Sequence, residues 1–324
     1  MDAVRTRFAP SPTGDLHLGG AFSALAAWAL ARQAGGRFVL RVEDIDRPRV
    51  VAGAEPRQLD DLRWLGLTWD EGPDAEGPVG PYRQSERGAL YRAALEELTA
   101  QGRTYPCDCS RAEIARVASA PHQGEEVAYP GTCRDKSPGR SFRRSPAIRL
   151  RLEATDEIPC VDRVVGPIAP SLLHATGDFV LQRGDGVFAY QVAVSADDLA
   201  MGISDVVRGA DLVPSTPRQI LLMQLWKELG RLAWAAGARV PRYWHLPLVA
   251  GPDGSRLAKR TPGATVRELR EAGIAPEVVI GHLAEALGLS ATSEAIPAAD
   301  LARRLRATPT FQVEPWRIPA TWPS

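Results

Sequence analysis

The sequence predicts an α/β fold in which a parallel sheet is covered on both faces by helices, and three observations point there. Strand-like and helix-like segments alternate with short links as far as Leu65. The second strand candidate, Phe38-Val39-Leu40-Arg41-Val42, is apolar at most positions, as a parallel strand buried on both faces must be. A composition of 44% hydrophobic and 24% charged residues lies in the ordinary globular range, with material for a sizeable core.

Each element has a local reason. Arg5 to Ala9 reads as a strand, ended by the rigid turn Pro10-Ser11-Pro12-Thr13-Gly14. An alanine- and leucine-rich helix follows from Leu18 to Arg32, with Gly35-Gly36 as its stop. A second helix is expected from about Glu55 to Leu65. The stretch from Tyr105 to Arg144 breaks the rhythm, being rich in Cys, Pro, Gly and charge, and reads as an insertion. Strands are predicted at Ile148–Leu152, Phe179–Gln182 and Val187–Val194. The last two are joined across Arg183-Gly184-Asp185-Gly186, a hairpin turn. A helix from Pro217 to Ala235, a strand from Trp244 to Val249, and helices from Thr265 onward complete the chain.

Thirty-nine basic residues balance 39 acidic ones, so a nucleic-acid surface here must be a local patch rather than a whole-molecule field. No apolar run approaches the roughly 20 residues that span a bilayer. Met1 to Phe8 has no apolar signal core. The cytosol is the expected location, where four cysteines in 324 residues do not read as a disulfide framework. Cys107, Cys109 and Cys133 fall close together, and Cys160 stands apart.

A helix start offers unpaired N–H groups and a positive dipole end, which attract phosphate. His17, Gly19 and Gly20 fall where the first helix begins. On these residues alone the tetrapeptide fits either a tight turn or a phosphate cradle. No G-x-G-x-x-G follows the first strand, which argues against a nicotinamide enzyme. Farther on, Gly251-Pro252-Asp253-Gly254 leads into Arg256-Leu257-Ala258-Lys259-Arg260. That run fits a solvated basic turn or a mobile loop that neutralises a transferring phosphoryl group.

The wider strings are more specific. Arg7-Phe8-Ala9-Pro10-Ser11-Pro12-Thr13-Gly14 and Asp15-Leu16-His17-Leu18-Gly19-Gly20 together resemble the "HIGH" region of class I glutamyl-tRNA synthetases. Leu40 to Arg47, Tyr82-Arg83-Gln84-Ser85-Glu86-Arg87, Val207 to Asp211 and Ser215 to Gln219 match the same family in its order. The resemblance implies a Rossmann-like parallel-sheet catalytic domain of class I aminoacyl-tRNA synthetases over residues 1–104 and 187–255. It also implies an inserted zinc-binding, acceptor-type subdomain over 105–186, and a lysine-loop and helical region over 256–324.

Site residues follow from the same resemblance. ATP with Mg²⁺ is expected at His17, Gly19, Gly20 and Lys259, with His17 and Lys259 as the catalytic pair. Lys259 would belong to the family's "KMSKS" loop, in which Arg256 here replaces the usual lysine and Ala258 the serine. L-Glutamate is expected at Arg7, Ala9, Ser11, Glu43, Tyr190 and Arg208. The chemistry suits that set: two guanidinium groups for two carboxylates, a carboxylate for the ammonium, and a phenol for positioning. For the cysteines, spacing alone leaves reduced thiols and a metal site equally open. The resemblance implies structural zinc on Cys107, Cys109, Tyr129 and Cys133, with His122 as the alternative to Tyr129.

The chain runs only about 65 residues beyond Lys259, less than a typical further domain. With Trp316-Arg317-Ile318-Pro319 near its end, it resembles the glutamyl-queuosine tRNA(Asp) synthetases, a truncated paralogous family. That implies glutamate activation without tRNA, then transfer to the queuosine base at the wobble position of tRNA-Asp, by a monomer without an anticodon-binding domain. Two alternatives stand beside it. One is a stand-alone glutamyl-tRNA synthetase-like enzyme charging a tRNA 3′ end. The other is a non-catalytic RNA-binding paralogue, which the altered lysine loop supports.

Overall fold

Four short parallel strands organise the chain in the computed structural model, which describes residues 3–117, 128–175, 177–254, 265–305, 307–320 and 322. In order, the first unit holds β1 (Arg5–Phe8), α1 (Leu18–Gln33), β2 (Arg37–Leu40), α2 (Ala54–Trp64) and α3 (Gly88–Ala100). The insertion supplies β3 (Thr104–Cys107), α4 (Arg111–Val117), β4 (Ala147–Leu150), β5 (Cys160–Asp162), β6 (Gly166–Ile168), α5 (Ser171–His174) and β7 (Val180–Gln182). Then come α6 (Tyr190–Ala200), β8 (Asp205–Gly209), α7 (Thr216–Leu229), β9 (Arg242–Leu246), α8 (Val266–Glu271), α9 (Pro276–Ala286) and α10 (Ala298–Arg304).

The main sheet has the order β2-β1-β8-β9, parallel throughout. Successive side chains point to opposite faces, and the core divides accordingly. Phe38, Leu40, Val207 and Leu246 pack toward α1, α9 and α10, while Val39, Val206 and Tyr243 pack toward α3, α6 and α7. Both faces are therefore covered, and the polar side chains the strands carry, among them Arg7, Arg208 and His245, are buried with them. The insertion folds as an antiparallel sheet of order β3-β4-β7 and a separate β5–β6 hairpin. No helix among the described residues is long and apolar enough to cross a membrane.

The strand expected at Val187–Val194 is instead the start of α6. Its turn is present, since the Arg183 N–H donates to the Val187 carbonyl at 2.8 Å, and Gln182 and Phe188 form an antiparallel bridge. The chain then coils. Every residue from Val192 to Leu199 is buried, so no polar stripe marks the helical period and the apolar run mimics a strand. Two smaller corrections concern ends. Gly230, at φ 65°, stops α7 at Leu229 rather than near Ala235. Beyond α10 the chain is an extended strap rather than helix: Ala250 donates to Trp316 O at 2.8 Å and accepts from the Ile318 N–H at 3.0 Å.

Candidate active site and cysteine cluster

The carboxyl ends of β1, β2, β8 and β9 gather on one edge of the sheet. β1 runs to β2 on one side and lies against β8 on the other, so the crevice between β1 and β8 is a switch point of the kind that binds ligands. The turn after β1 is held from α2, where Gln58 Nε2 donates to Ser11 O at 3.2 Å and Gly14 O at 2.7 Å. Beyond β2, the Glu43 N–H donates to Pro10 O at 2.9 Å, which sets Glu43 beside that turn. Ser11, Glu43, Gln84, Phe188 and Tyr190 are among the residues lining a cavity of about 180 Å³. Ala9 lies between β1 and this turn, half-buried.

Behind the cavity is a buried charge network. Asp198 of α6 accepts from Arg7 Nε at 3.1 Å and from Arg41 Nη1 at 2.7 Å. Arg41 Nη2 donates to Glu43 at 3.2 Å. The neighbouring Asp197 accepts from Gln84, Arg87 and Tyr91. Burial pushes the Glu43 carboxyl up, against the charges of Arg41 and Arg7. Burial would raise Asp198 as well, but Arg7 and Arg41 outweigh it and hold that carboxylate below its ordinary range. Sequence reasoning missed Asp197, Asp198 and Arg41. The available signal was a pair of consecutive acids inside an apolar run, since acids are buried only when paired.

Arg208, at the end of β8, is 5% exposed and engages five acceptors. It donates to His245 Nε2 at 3.0 Å, Gln219 Oε1 at 2.8 Å and Thr216 Oγ1 at 2.8 Å. Two further bonds, to the Tyr190 hydroxyl and to Leu212 O, are long at 3.4 Å each. Arg7, Glu43, Tyr190 and Arg208 are thus brought together on the α6 side of the sheet. The charges of Arg208, Glu43 and Arg7 all act on the Tyr190 phenol, which burial raises.

His17 caps α1 from an extended conformation. Above it, a Cβ on Gly19 would meet nothing within 4 Å, so a ligand can approach that backbone. Gly20 is tighter, with Leu16 at 3.0 Å. The expected lysine loop, Arg256 to Arg260 with Lys259, lies outside the described residues. Its flanks do not: Ala250 is held by the strap, and Thr265 forms an antiparallel bridge with His17 while the Val266 N–H donates to Leu16 O at 2.8 Å. Thr265, the first described residue beyond that segment, is therefore paired with His17.

A family model of the class I tRNA synthetases for Glu and Gln, catalytic domain, matches residues 3–305. The chain belongs to this family. A glutamyl-Q tRNA(Asp) synthetase of Symbiobacterium thermophilum is 50% identical over 97% of this chain and 95% of its own length. Its counterpart in Nitratidesulfovibrio vulgaris is 46% identical over 88% and 87%. A glutamate–tRNA ligase of Halorhodospira halophila is 43% identical over 90% of this chain but only 60% of that protein. Among solved structures, a glutamate tRNA ligase from Elizabethkingia meningosepticum in complex with its amino acid superposes with a TM-score of 0.80 at 27% identity. That match covers 98% of this chain and 68% of the other. The protein is thus a class I synthetase, an enzyme of the ligase type, on the glutamyl-Q tRNA(Asp) branch.

In this class I synthetase the insertion carries a group that could hold a metal ion. The Sγ atoms of Cys107, Cys109 and Cys133 all lie within 4.8 Å of one another, and Cys109 and Cys133 are 3.6 Å apart. The Tyr129 hydroxyl is 3.3 Å from Cys107 Sγ and accepts the Cys133 N–H at 2.8 Å. Without a cation the group is poorly matched: burial, then the neighbouring Cys133 and Cys107 sulfurs, push the Cys109 thiol up to about 12. A Zn–S bond of about 2.3 Å implies sulfurs roughly 3.8 Å apart in a tetrahedron, and Cys109 and Cys133 lie close to that spacing. The donor set fits zinc. His122 lies outside the described residues.

Proposed function

We propose that this enzyme activates L-glutamate with ATP, without tRNA, and transfers the glutamyl group to the queuosine base at the wobble position of tRNA-Asp. The observation that carries the amino-acid half is the cavity at the sheet edge, lined by Glu43 and Tyr190 and backed by the buried Arg7 and Arg208. A dicarboxylic amino acid needs that balance of two cations and one anion. The acceptor half is supported by similarity that runs nearly end to end with glutamyl-Q tRNA(Asp) synthetases.

In this proposal Glu43 takes the substrate ammonium, while Arg7 and Arg208 take the carboxylates. Tyr190 orients the substrate, and Ala9 and Ser11 border its entry. An oxygen of the α-carboxylate attacks the ATP α-phosphorus, forming a P–O bond as pyrophosphate leaves. His17, the open backbone at Gly19 with its neighbour Gly20, and Lys259 stabilise the charge on the phosphates. Mg²⁺ carried with ATP supplies further neutralisation. A hydroxyl of the queuosine ring then attacks the activated carbonyl, and AMP departs. Catalysis is positioning and charge stabilisation, with no covalent enzyme intermediate. Zinc on Cys107, Cys109, Tyr129 and Cys133 is structural, and the enzyme works in the cytoplasm.

Labelled glutamate and ATP, incubated with tRNA from queuosine-proficient and queuosine-deficient cells, test the proposal. Label confined to queuosine-bearing tRNA-Asp is expected. Label on tRNA-Glu would favour a 3′-charging enzyme. Loss of all glutamate-dependent ATP–pyrophosphate exchange would favour an RNA-binding paralogue.

A further inference from the structure

Arg208 leans on a histidine that the mechanism above does not use. His245 of β9 is its register partner across the sheet and is fully buried. The Arg208 Nε–H donates to His245 Nε2 at 3.0 Å, and guanidinium has no lone pair to offer in return. His245 must therefore be neutral with its proton on Nδ1. The far side of the ring enforces that tautomer, because Nδ1 lies 2.7 Å from Asp162 Oδ2. Asp162 is itself fixed by N–H groups of Val164, Val165 and His245. It belongs to β5, in the insertion, and is as fully buried as the imidazole.

We propose that Asp162 and His245 are positioning residues for glutamate recognition: the carboxylate fixes His245 as an Nε2 acceptor, and that acceptor sets the plane of the Arg208 guanidinium. This inference rests on the proposal that Arg208 takes a substrate carboxylate. The bonds of Arg208 divide accordingly. Those to His245, Gln219 and Thr216 are short and hold the group, whereas the 3.4 Å bonds to Tyr190 and Leu212 leave one loosely held N–H on each terminal nitrogen. That pair is what an incoming carboxylate can take over. Without the His245 acceptor, Nε–H is left buried and unpaired, and the fork turns to find another partner.

Acid should undo the arrangement. His245 faces Asp162 from β5, Arg208 from β8, the charge of Arg7 from β1, the Thr216 hydroxyl at 3.2 Å from the start of α7, and the stacked ring of Tyr243 on its own strand. Protonation would delete the acceptor and set an imidazolium against two arginines. Burial first, and the charge of Arg208 after it, keep the imidazole below its ordinary range despite Asp162. The His245 part of glutamate recognition is therefore intact at neutral pH and is lost as pH falls through that lowered value.

The test is glutamate-dependent ATP–pyrophosphate exchange from about pH 5 to 8 in the unsubstituted enzyme and in His245→Gln, His245→Phe and Asp162→Asn. In His245→Phe and Asp162→Asn the KM for glutamate should rise about 10- to 100-fold, with KM for ATP and kcat changing far less. His245→Gln, whose amide oxygen can accept from Arg208 Nε, should restore most of the affinity and lose the His245 acid limb. Should His245→Phe fail to fold, the KM split in Asp162→Asn and the pH profile of His245→Gln decide alone. A glutamate KM and acid limb unchanged in both would overturn the inference. No exchange in the unsubstituted enzyme would overturn the parent proposal and this one with it.

Discussion

Arg7 and Asp198 are locked together although 191 positions separate them: Arg7 Nε and Nη2 reach the two carboxylate oxygens at 3.1 and 3.4 Å. Asp198 also holds Arg41, so one anion on α6 orients two cations from two strands. Asp198→Asn should therefore leave Arg7 without its carboxylate partner, and Arg41 with Glu43 at 3.2 Å and Asp197 at 3.5 Å. Breaking a buried pair costs about 3–5 kcal/mol, and the retained amide places this variant at or below the lower end. Urea unfolding measures that loss, and the KM for glutamate should rise alongside it. The native Asp198 value is depressed, so its contribution is complete above the ordinary 3.8 and is lost as pH falls through the lower folded value. The variant should lack that acid-sensitive part.

Arg208→Lys should be nearly as damaging as Arg208→Ala. A lysine ammonium keeps the charge but cannot satisfy His245, Gln219 and Thr216 while presenting two N–H groups to a carboxylate. Losing two charge-assisted bonds at about 1.5 kcal/mol or more each predicts a fall in kcat/KM for glutamate of roughly a hundredfold or more. Exchange kinetics measure it. Unchanged exchange in Arg208→Ala would remove Arg208 from the pocket.

These long-range pairs also show where sequence reading stops. β1, α1 and β2 were legible because each carries its own period or punctuation: the proline turn after β1, and Gly35-Gly36 after α1. The cysteine cluster was legible because three of its thiols lie within one insertion. Asp198 pairs with Arg7 across 191 positions and Asp162 with His245 across 83, and no local pattern ties such partners. The α6 helix was misread for a related reason. Its surroundings, with α3 and α7 packed along it, bury the face that would have revealed its turn. The extended strap at Trp316 to Ile318 owes its shape to pairing with Ala250, again a distant partner.

Glu43 gives the pocket a pH dependence of definite sign. Its value is raised, chiefly by burial, and only the carboxylate form can hold a substrate ammonium. Glutamate affinity should be flat above that raised value and fall as pH drops through it. Calorimetric titration with glutamate alone should show proton release on binding within that window, because the ammonium draws the carboxyl back toward its ionised form. Glu43→Gln should bind weakly at every pH and lose the proton release. That separates its acid limb from the one attributed to His245, which His245→Gln removes.

The zinc ligands can be separated by the chemistry of their donors. Burial, then the hydrogen bond with Cys107, raise the Tyr129 phenol well above its ordinary range, so it reaches a metal as phenolate only where a cation is present to repay ionisation. Arg149, stacked 3.7 Å from the ring centroid, adds positive charge beside it. Chelator-free protein should contain one equivalent of zinc by elemental analysis, and Cys107→Ser or Cys133→Ser should lose it. If Tyr129 is the fourth ligand, Tyr129→Phe should lower zinc affinity about 10- to 100-fold in competition with a chelator, while His122→Ala leaves it unchanged. The reverse result would transfer the fourth position to His122. Zinc near zero in the unsubstituted, chelator-free protein would remove the metal site and leave three reduced thiols.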